Sequence, residues 1–207
     1  MSSGNGRILV VRHGETQWSR EGRHTGRTDV PLSPEGERRA AALAAAVGPW
    51  HPTLVLCSPL QRARRTAELA GLAPEVDGDL LEWDYGAYEG LTTQEIRDRR
   101  SDPHWSVWTT GEGLGESLAD VAVRAERVLT RCRPLLQEGG DVVLVAHAHL
   151  LRILTATWLR MPPIGGESLV LEPAGTGVLG YERDTPVLQR WNACPVTPGR
   201  AATARRR

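Results

Sequence analysis

Three unbroken apolar runs constrain this chain more than any other feature: Ile8-Leu9-Val10-Val11, Leu54-Val55-Leu56-Cys57 and Val142-Val143-Leu144-Val145-Ala146. They are too short for buried helices and lack alternation, so they read as strands covered on both faces, the pattern of a parallel sheet. A fourth strand is read from Gly177 to Tyr181. Helical segments fall between them at Pro34 to Val47, Leu60 to Ala70, Thr93 to Arg99, Ser117 to Gln137 and Leu150 to Leu159. Ser33 followed by Pro34 is an N-cap with proline at the first helical position, Gly48-Pro49 is a stop, and Ser117 with Asp120 is a capping-box pair. Strand and helix alternate, which predicts an α/β fold: a three-layer sandwich with a mostly parallel central sheet and helices on both faces. The pattern loosens over residues 71–115 into a segment rich in Trp, Tyr, Asp and Gly, read as a small cap insertion. Residues 1–196 are expected to form a single domain, and the arginine-rich run 197–207 a disordered tail.

Composition narrows the function by exclusion. The 25 basic and 25 acidic residues cancel, so any anion site must be built locally and bulk nucleic-acid binding is not expected. Cys57, Cys132 and Cys194 are widely spaced and odd in number, which argues against a disulfide framework or a structural zinc site and fits a reducing cytoplasm. No apolar stretch approaches the roughly 20 residues of a membrane helix, and residues 1–6 do not read as a secretory signal. Neither a metal nor a cofactor is expected; oligomeric state is not encoded in any motif.

The ends of the strands carry the chemistry. Arg12-His13-Gly14-Glu15 follows the first run and His147 follows the third, where α/β sheets bind ligands. Gly14 permits close backbone approach, Arg12 offers a planar fork of donors, and His13 offers a nitrogen nucleophile, a combination suited to a phosphoryl group. After the second strand, Ser58 and Pro59 are read as N-cap and first helical residue, which puts Arg62 in the first turn beside the same sheet edge. Arg64 and Arg65 point elsewhere around that helix. A proton donor for the leaving oxygen should be a partly desolvated carboxyl group. Glu82, Asp84 and Glu89 all qualify on spacing.

In this order, Arg12-His13-Gly14-Glu15-Thr16, Thr25-Gly26, Pro31-Leu32-Ser33-Pro34-Glu35-Gly36, Ser58-Pro59 with Arg62, Glu82 and His147 resemble the pattern of the histidine phosphatase superfamily, the phosphoglycerate mutase-like proteins, from about Ile8 to Tyr181. The resemblance implies a metal-independent phosphomonoesterase with a phosphohistidine intermediate, His13 as nucleophile, Arg12, Arg62 and His147 completing the phosphate pocket, and Glu82 as acid and base. Within the superfamily the chain looks most like the sugar-phosphate phosphatases of the sedoheptulose-bisphosphatase-like subgroup. The blocks that carry this are Trp18-Ser19, residues 82–90, Trp105 to Trp108 before Gly115-Glu116-Ser117, Ala146-His147-Ala148-His149 with Arg152, and residues 175–179.

Substrate contacts are assigned on the same footing to Ser19, where much of the superfamily has asparagine, to His24 and Thr25, to Tyr85, and to Arg152 for a second phosphate or carboxylate. Trp105 and Trp108 read as a hydrophobic cluster in the cap. Ala148 replaces a glycine common at its position, which puts a positive φ there in doubt. The expected partner is a small phosphate ester. A phosphoglycerate mutase is the rival enzyme, disfavoured because Glu82-Trp83-Asp84-Tyr85-Gly86 lacks the mutase-type segment and the chain has no lysine. The other alternative is a silent phosphate-binding or interaction module.

Overall fold

The computed structural model describes residues 5–109 and 113–195. The run 197–207, expected to be disordered, lies outside the described residues. In chain order the elements are β1 (Ile8–Arg12), α1 (Gln17–Arg20), α2 (Pro34–Ala42), α3 (Ala44–Val47), β2 (Leu54–Cys57), α4 (Gln61–Leu69), β3 (Glu75–Val76), α5 (Thr93–Arg100), α6 (Leu118–Gln137), β4 (Val142–Ala146), α7 (Ala148–Trp158), β5 (Thr176–Glu182) and β6 (Thr185–Ala193). The strands form one sheet in the order β3-β2-β4-β1-β5-β6. The pairs β3/β2, β2/β4 and β4/β1 are parallel, whereas β5 and β6 join antiparallel at one edge.

The apolar runs are continuous because both faces are covered. Ile8, Val10, Leu56, Val142 and Leu144 belong to one core with Leu129 and Leu136 of α6 and Leu150 and Leu154 of α7. The intervening Leu9, Val11, Cys57, Val143 and Val145 pack on the other face with Leu43, Val47 and the α4 residues Ala63 and Ala67. Full burial of one such Val, Leu or Ile side chain stabilises by roughly 1.5–3 kcal/mol, which is why neither face tolerates the polar alternation of a half-exposed strand.

Local chemistry moves several expected boundaries. The segment 34–47 divides at Leu43, whose N–H bonds Ala40 O, three residues back, and so tightens the turn. Ser58 and Pro59 do not open α4. Leu60 is the cap residue, and the first helical N–H, that of Gln61, is satisfied by Asp29 Oδ1 at 2.8 Å. Helix α7 starts at Ala148, two residues before the expected Leu150, because the Glu82 carboxylate accepts the N–H groups of His149 and Leu150 and supplies the cap that His147 does not. Ala148 is therefore helical, and no positive φ is required of it. Ser117 and Asp120 form the capping box read for α6. Strands β3 and β6 were not expected. β6 carries Pro186, tolerated because this strand lies at the sheet edge. Among the described residues no helix is long and apolar enough to cross a membrane.

Candidate active site

The β1/β4 register places Arg12 opposite Ala146, so His13 and His147 leave the sheet side by side. Their ring centroids are 5.1 Å apart. The backbone of His13 is pinned on both sides: its N–H donates to Ala146 O at 2.9 Å, and its carbonyl accepts from Ala174 N at 3.0 Å. Its Nδ1 lies 2.7 Å from Gly14 O, which can only accept. Nδ1 therefore carries the proton and Nε2 the lone pair. His147 has the opposite tautomer: Arg62 Nε donates to its Nδ1 at 3.2 Å, leaving Nε2 to donate to Ser58 Oγ at 2.7 Å. Ser58 Oγ also accepts the N–H of the α4 cap residue Leu60 at 3.4 Å, so it serves both the histidine and the approach to the helix.

A cavity of about 370 Å³ opens over this sheet edge, within the size range of small-molecule sites. Arg12, His13, Ser19, His24, Thr25, Glu82, Tyr85 and Arg152 line it. Arg62 and His147 do not. Arg62 is fully buried behind the nucleophile, its terminal nitrogens donating to Thr25 O, Gly26 O and Thr28 O. Arg12 differs: one terminal nitrogen donates to Leu171 O, while its buried Nε has no partner among the described residues.

Of the three candidate carboxylates, only Glu82 lines the cavity. Its Oε1 accepts from Trp83 N and Leu150 N at 3.0 and 2.9 Å, and its Oε2 from His149 N at 3.1 Å. Glu89 is turned to the loop below, where it accepts the N–H groups of Gly26, Arg27 and Thr28. Asp84 accepts from Gly86 N and faces Arg27 at 3.8 Å.

The substrate-facing candidates are held to different degrees. Ser19 reaches the cavity, and its hydroxyl donates to Thr16 O and accepts Thr16 N–H within the α1 cap. Thr25 donates to Arg23 O. Arg152 donates to Gly166 O and Glu167 O with its guanidinium 4.7 Å from the Trp108 ring centre. Tyr85 OH and His149 Nδ1 share a hydrogen bond of 2.6 Å.

His149 was not assigned from sequence, although its spacing, two residues after His147 at the helix start, was the available signal. Trp105 and Trp108 are buried in the main core and line the cavity as well. Glu172 also reaches the rim.

Burial controls the imidazoles. It pushes His13 well below its ordinary value, with Arg62 and Arg12 adding repulsion. His147 and His149 are shifted the same way, and burial lowers His24 to about 4. Burial also pushes the Tyr85 phenol well above 10, with Glu82 and Glu89 adding to it. A histidine whose folded pKa lies below its unfolded value of about 6.5 takes up a proton on unfolding at intermediate pH. Its contribution is whole above about pH 6.5 and is lost as pH falls toward the folded value. Thermal melts should therefore show the midpoint dropping by several degrees between pH 7 and about pH 5, above the carboxylate range. A flat midpoint over that window would contradict four neutral imidazoles, two buried (His13 and His147) and two half-buried (His24 and His149).

The sequence model of the histidine phosphatase superfamily (branch 1) matches residues 8–194. An acid phosphatase of Mycobacterium tuberculosis is 42% identical over 181 residues, covering 86% of this chain and 88% of the relative. A sedoheptulose 1,7-bisphosphatase of Saccharomyces cerevisiae is 34% identical over 184 residues, covering 75% and 68%. The solved structure of an open reading frame product of Mycobacterium tuberculosis superposes with a TM-score of 0.87 at 39% identity, covering 93% of this chain and 100% of that one.

Proposed function

The chain belongs to the histidine phosphatase superfamily (branch 1) and is a phosphoric monoester hydrolase; on that footing we propose that it hydrolyses a small sugar phosphate without a metal, through a phosphohistidine at His13. The observation that carries this reading is a neutral, buried His13 whose Nδ1 proton is committed to Gly14 O, preceded by an Arg12 whose buried Nε has no partner among the described residues. One is a lone pair ready to attack phosphorus. The other is a charged donor left over for an anion.

In the first step the Nε2 lone pair of His13 forms the N–P bond as the P–O bond to the leaving group breaks, and the Glu82 carboxyl gives its proton to that oxygen. In the second, Glu82 as carboxylate takes a proton from water, the water oxygen bonds phosphorus, and the P–N bond breaks to release phosphate. Arg12 neutralises charge on the equatorial oxygens, while Arg62 and His147 act from behind: Arg62 helps to hold His13 neutral, and the His147 ring packs against it.

A sugar suits the upper cavity. Trp105, Trp108, Tyr85 and His24 supply flat walls, and the buried indole N–H of Trp105 has no acceptor among the described residues, which a substrate hydroxyl would provide. Arg152 stands where a second phosphate or a carboxylate would reach. The bounded cavity floored by His13 favours a small ester over a phosphoprotein.

A panel of phosphorylated metabolites tests the reading. The highest kcat/KM is expected on a sugar phosphate, 3-phosphoglycerate should yield inorganic phosphate and not 2-phosphoglycerate, and EDTA should leave the rate unchanged. Isomerisation of 3-phosphoglycerate would make the protein a mutase, and strong inhibition by EDTA would mean that a metal takes part.

A further inference from the structure

We propose that Thr66 is a positioning residue that fixes the tautomer of His13 by anchoring Gly14. The inference rests on the reading of His13 as the nucleophile. Thr66 is fully buried on α4, one turn after Arg62; it does not line the cavity, and its hydroxyl bonds Gly14 and Arg62 rather than the histidine. Its hydroxyl donates to Arg62 O at 2.7 Å, and its oxygen accepts the Gly14 N–H at 2.9 Å. Gly14 O in turn accepts the Nδ1 proton of His13 at 2.7 Å. The hydroxyl hydrogen can point in only one direction, and the Arg62 carbonyl takes it, so the oxygen is left to accept from Gly14.

Anchoring matters because glycine has wide backbone freedom, and the direction of its carbonyl is set from outside. One side is set by α2: a Cβ on Gly14 would stand 2.5 Å from Gly36 O, and Ser33 N–H donates to Glu15 O at 2.8 Å. The other side is the peptide shared with His13: its carbonyl accepts from Ala174 N at 3.0 Å, and its N–H, among the described residues, donates to Thr66 alone. Without that acceptor the N–H is a buried orphan, and residue 14 gains by turning toward another partner. Its carbonyl then leaves His13 Nδ1. A neutral imidazole without a fixed acceptor populates both tautomers, and the one with its proton on Nε2 presents no lone pair to phosphorus. The same hydroxyl thus ties the helix bearing Arg62 to the chemical state of a ring that burial, with Arg62 beside it, keeps uncharged.

Thr66→Val keeps the shape and removes both hydrogen bonds; Thr66→Ser keeps both bonds. Thr155→Val serves as the control, because Thr155 is equally buried and makes the same kind of bond within a helix, to Leu151 O at 2.8 Å. With an aryl phosphate as substrate, T66V should lower kcat by about tenfold or more with KM changed by less than about twofold, and T66S should recover most of the loss. T155V should leave kcat within about twofold of the parent. In protein carrying ¹⁵N-histidine, with His13 identified by its absence from H13A, Nε2 should resonate as a lone-pair nitrogen in the parent and in T66S, and shift toward the protonated range in T66V.

The inference is overturned if T66V loses no more activity than T155V, if T66S loses as much as T66V, or if the His13 nitrogens are unmoved in T66V. Absence of an acid-labile phosphoenzyme in the parent would instead sink the nucleophile reading, and the nitrogen shifts would still decide whether Thr66 sets the tautomer.

Discussion

Replacing His13 by alanine is expected to lower turnover of an aryl phosphate by on the order of 10⁴-fold or more and to remove all acid-labile phosphoenzyme. The size follows from what is lost. On the proposed mechanism the chemistry passes through a bond to Nε2, and neither His147 nor His149 can substitute. His147 Nδ1 is blocked by Arg62 and its Nε2 proton is directed to Ser58. His149 shares its Nδ1 with Tyr85 and lies on α7, beyond the carboxylate of Glu82.

The fold should survive H13A, because the backbone of residue 13 is held by Ala146 O and Ala174 N whatever side chain it carries. Removing a buried neutral imidazole should even make stability less sensitive to acid, since one of the groups that protonates only on unfolding is gone. A folded H13A protein that still turns over aryl phosphate at a tenth of the parental rate would rule out phosphoryl transfer to this residue.

How much of this was legible before the structure varies with the kind of interaction. β1, β2 and β4 could be read because burial on both faces leaves a signal within four or five consecutive residues. β6 could not: Thr185-Pro186-Val187-Leu188-Gln189-Arg190 mixes a proline and polar side chains at an exposed edge, and its pairing with β5 is a tertiary fact. The strand ends put His13 and His147 together through register alone. Their unequal tautomers depend on Gly14 O, Ser58 and Arg62, which are contacts that no spacing encodes.

The carboxylates illustrate the same limit. Glu82, Asp84 and Glu89 lie within eight residues of one another in a segment without strong periodicity, so local pattern leaves them equivalent. What separates them is where distant backbone N–H groups stand: those of α7 hold Glu82 at the cavity, and those of residues 26–28 turn Glu89 away. Arg62 was placed correctly along the chain, but the three loop carbonyls that occupy its terminal nitrogens come from residues 34 to 37 positions earlier.

Glu82→Gln should divide substrates by their leaving groups. A sugar alkoxide departs poorly without a proton, whereas a nitrophenolate departs readily, so loss of the acid should lower the first-turnover rate on a sugar phosphate by about 10²–10⁴-fold and on the aryl ester by less than tenfold. Steady-state rates blur this contrast, because on the proposed mechanism the same carboxylate activates the water of the second step for both substrates. A burst of about one phenolate per active site, followed by slow turnover, is therefore the expected trace with the aryl ester in E82Q. The burst also separates chemistry from folding. The amide can accept as the carboxylate does at one atom, but its NH₂ would face an N–H that Oε1 or Oε2 now satisfies, leaving a buried donor unpaired at the start of α7 at a cost of roughly 1–3 kcal/mol. A protein weakened in that way still shows the burst if its folded fraction is intact. Equal loss on both esters with no burst would move the proton donor elsewhere, and the next cavity-lining carboxylate to test would be Glu172.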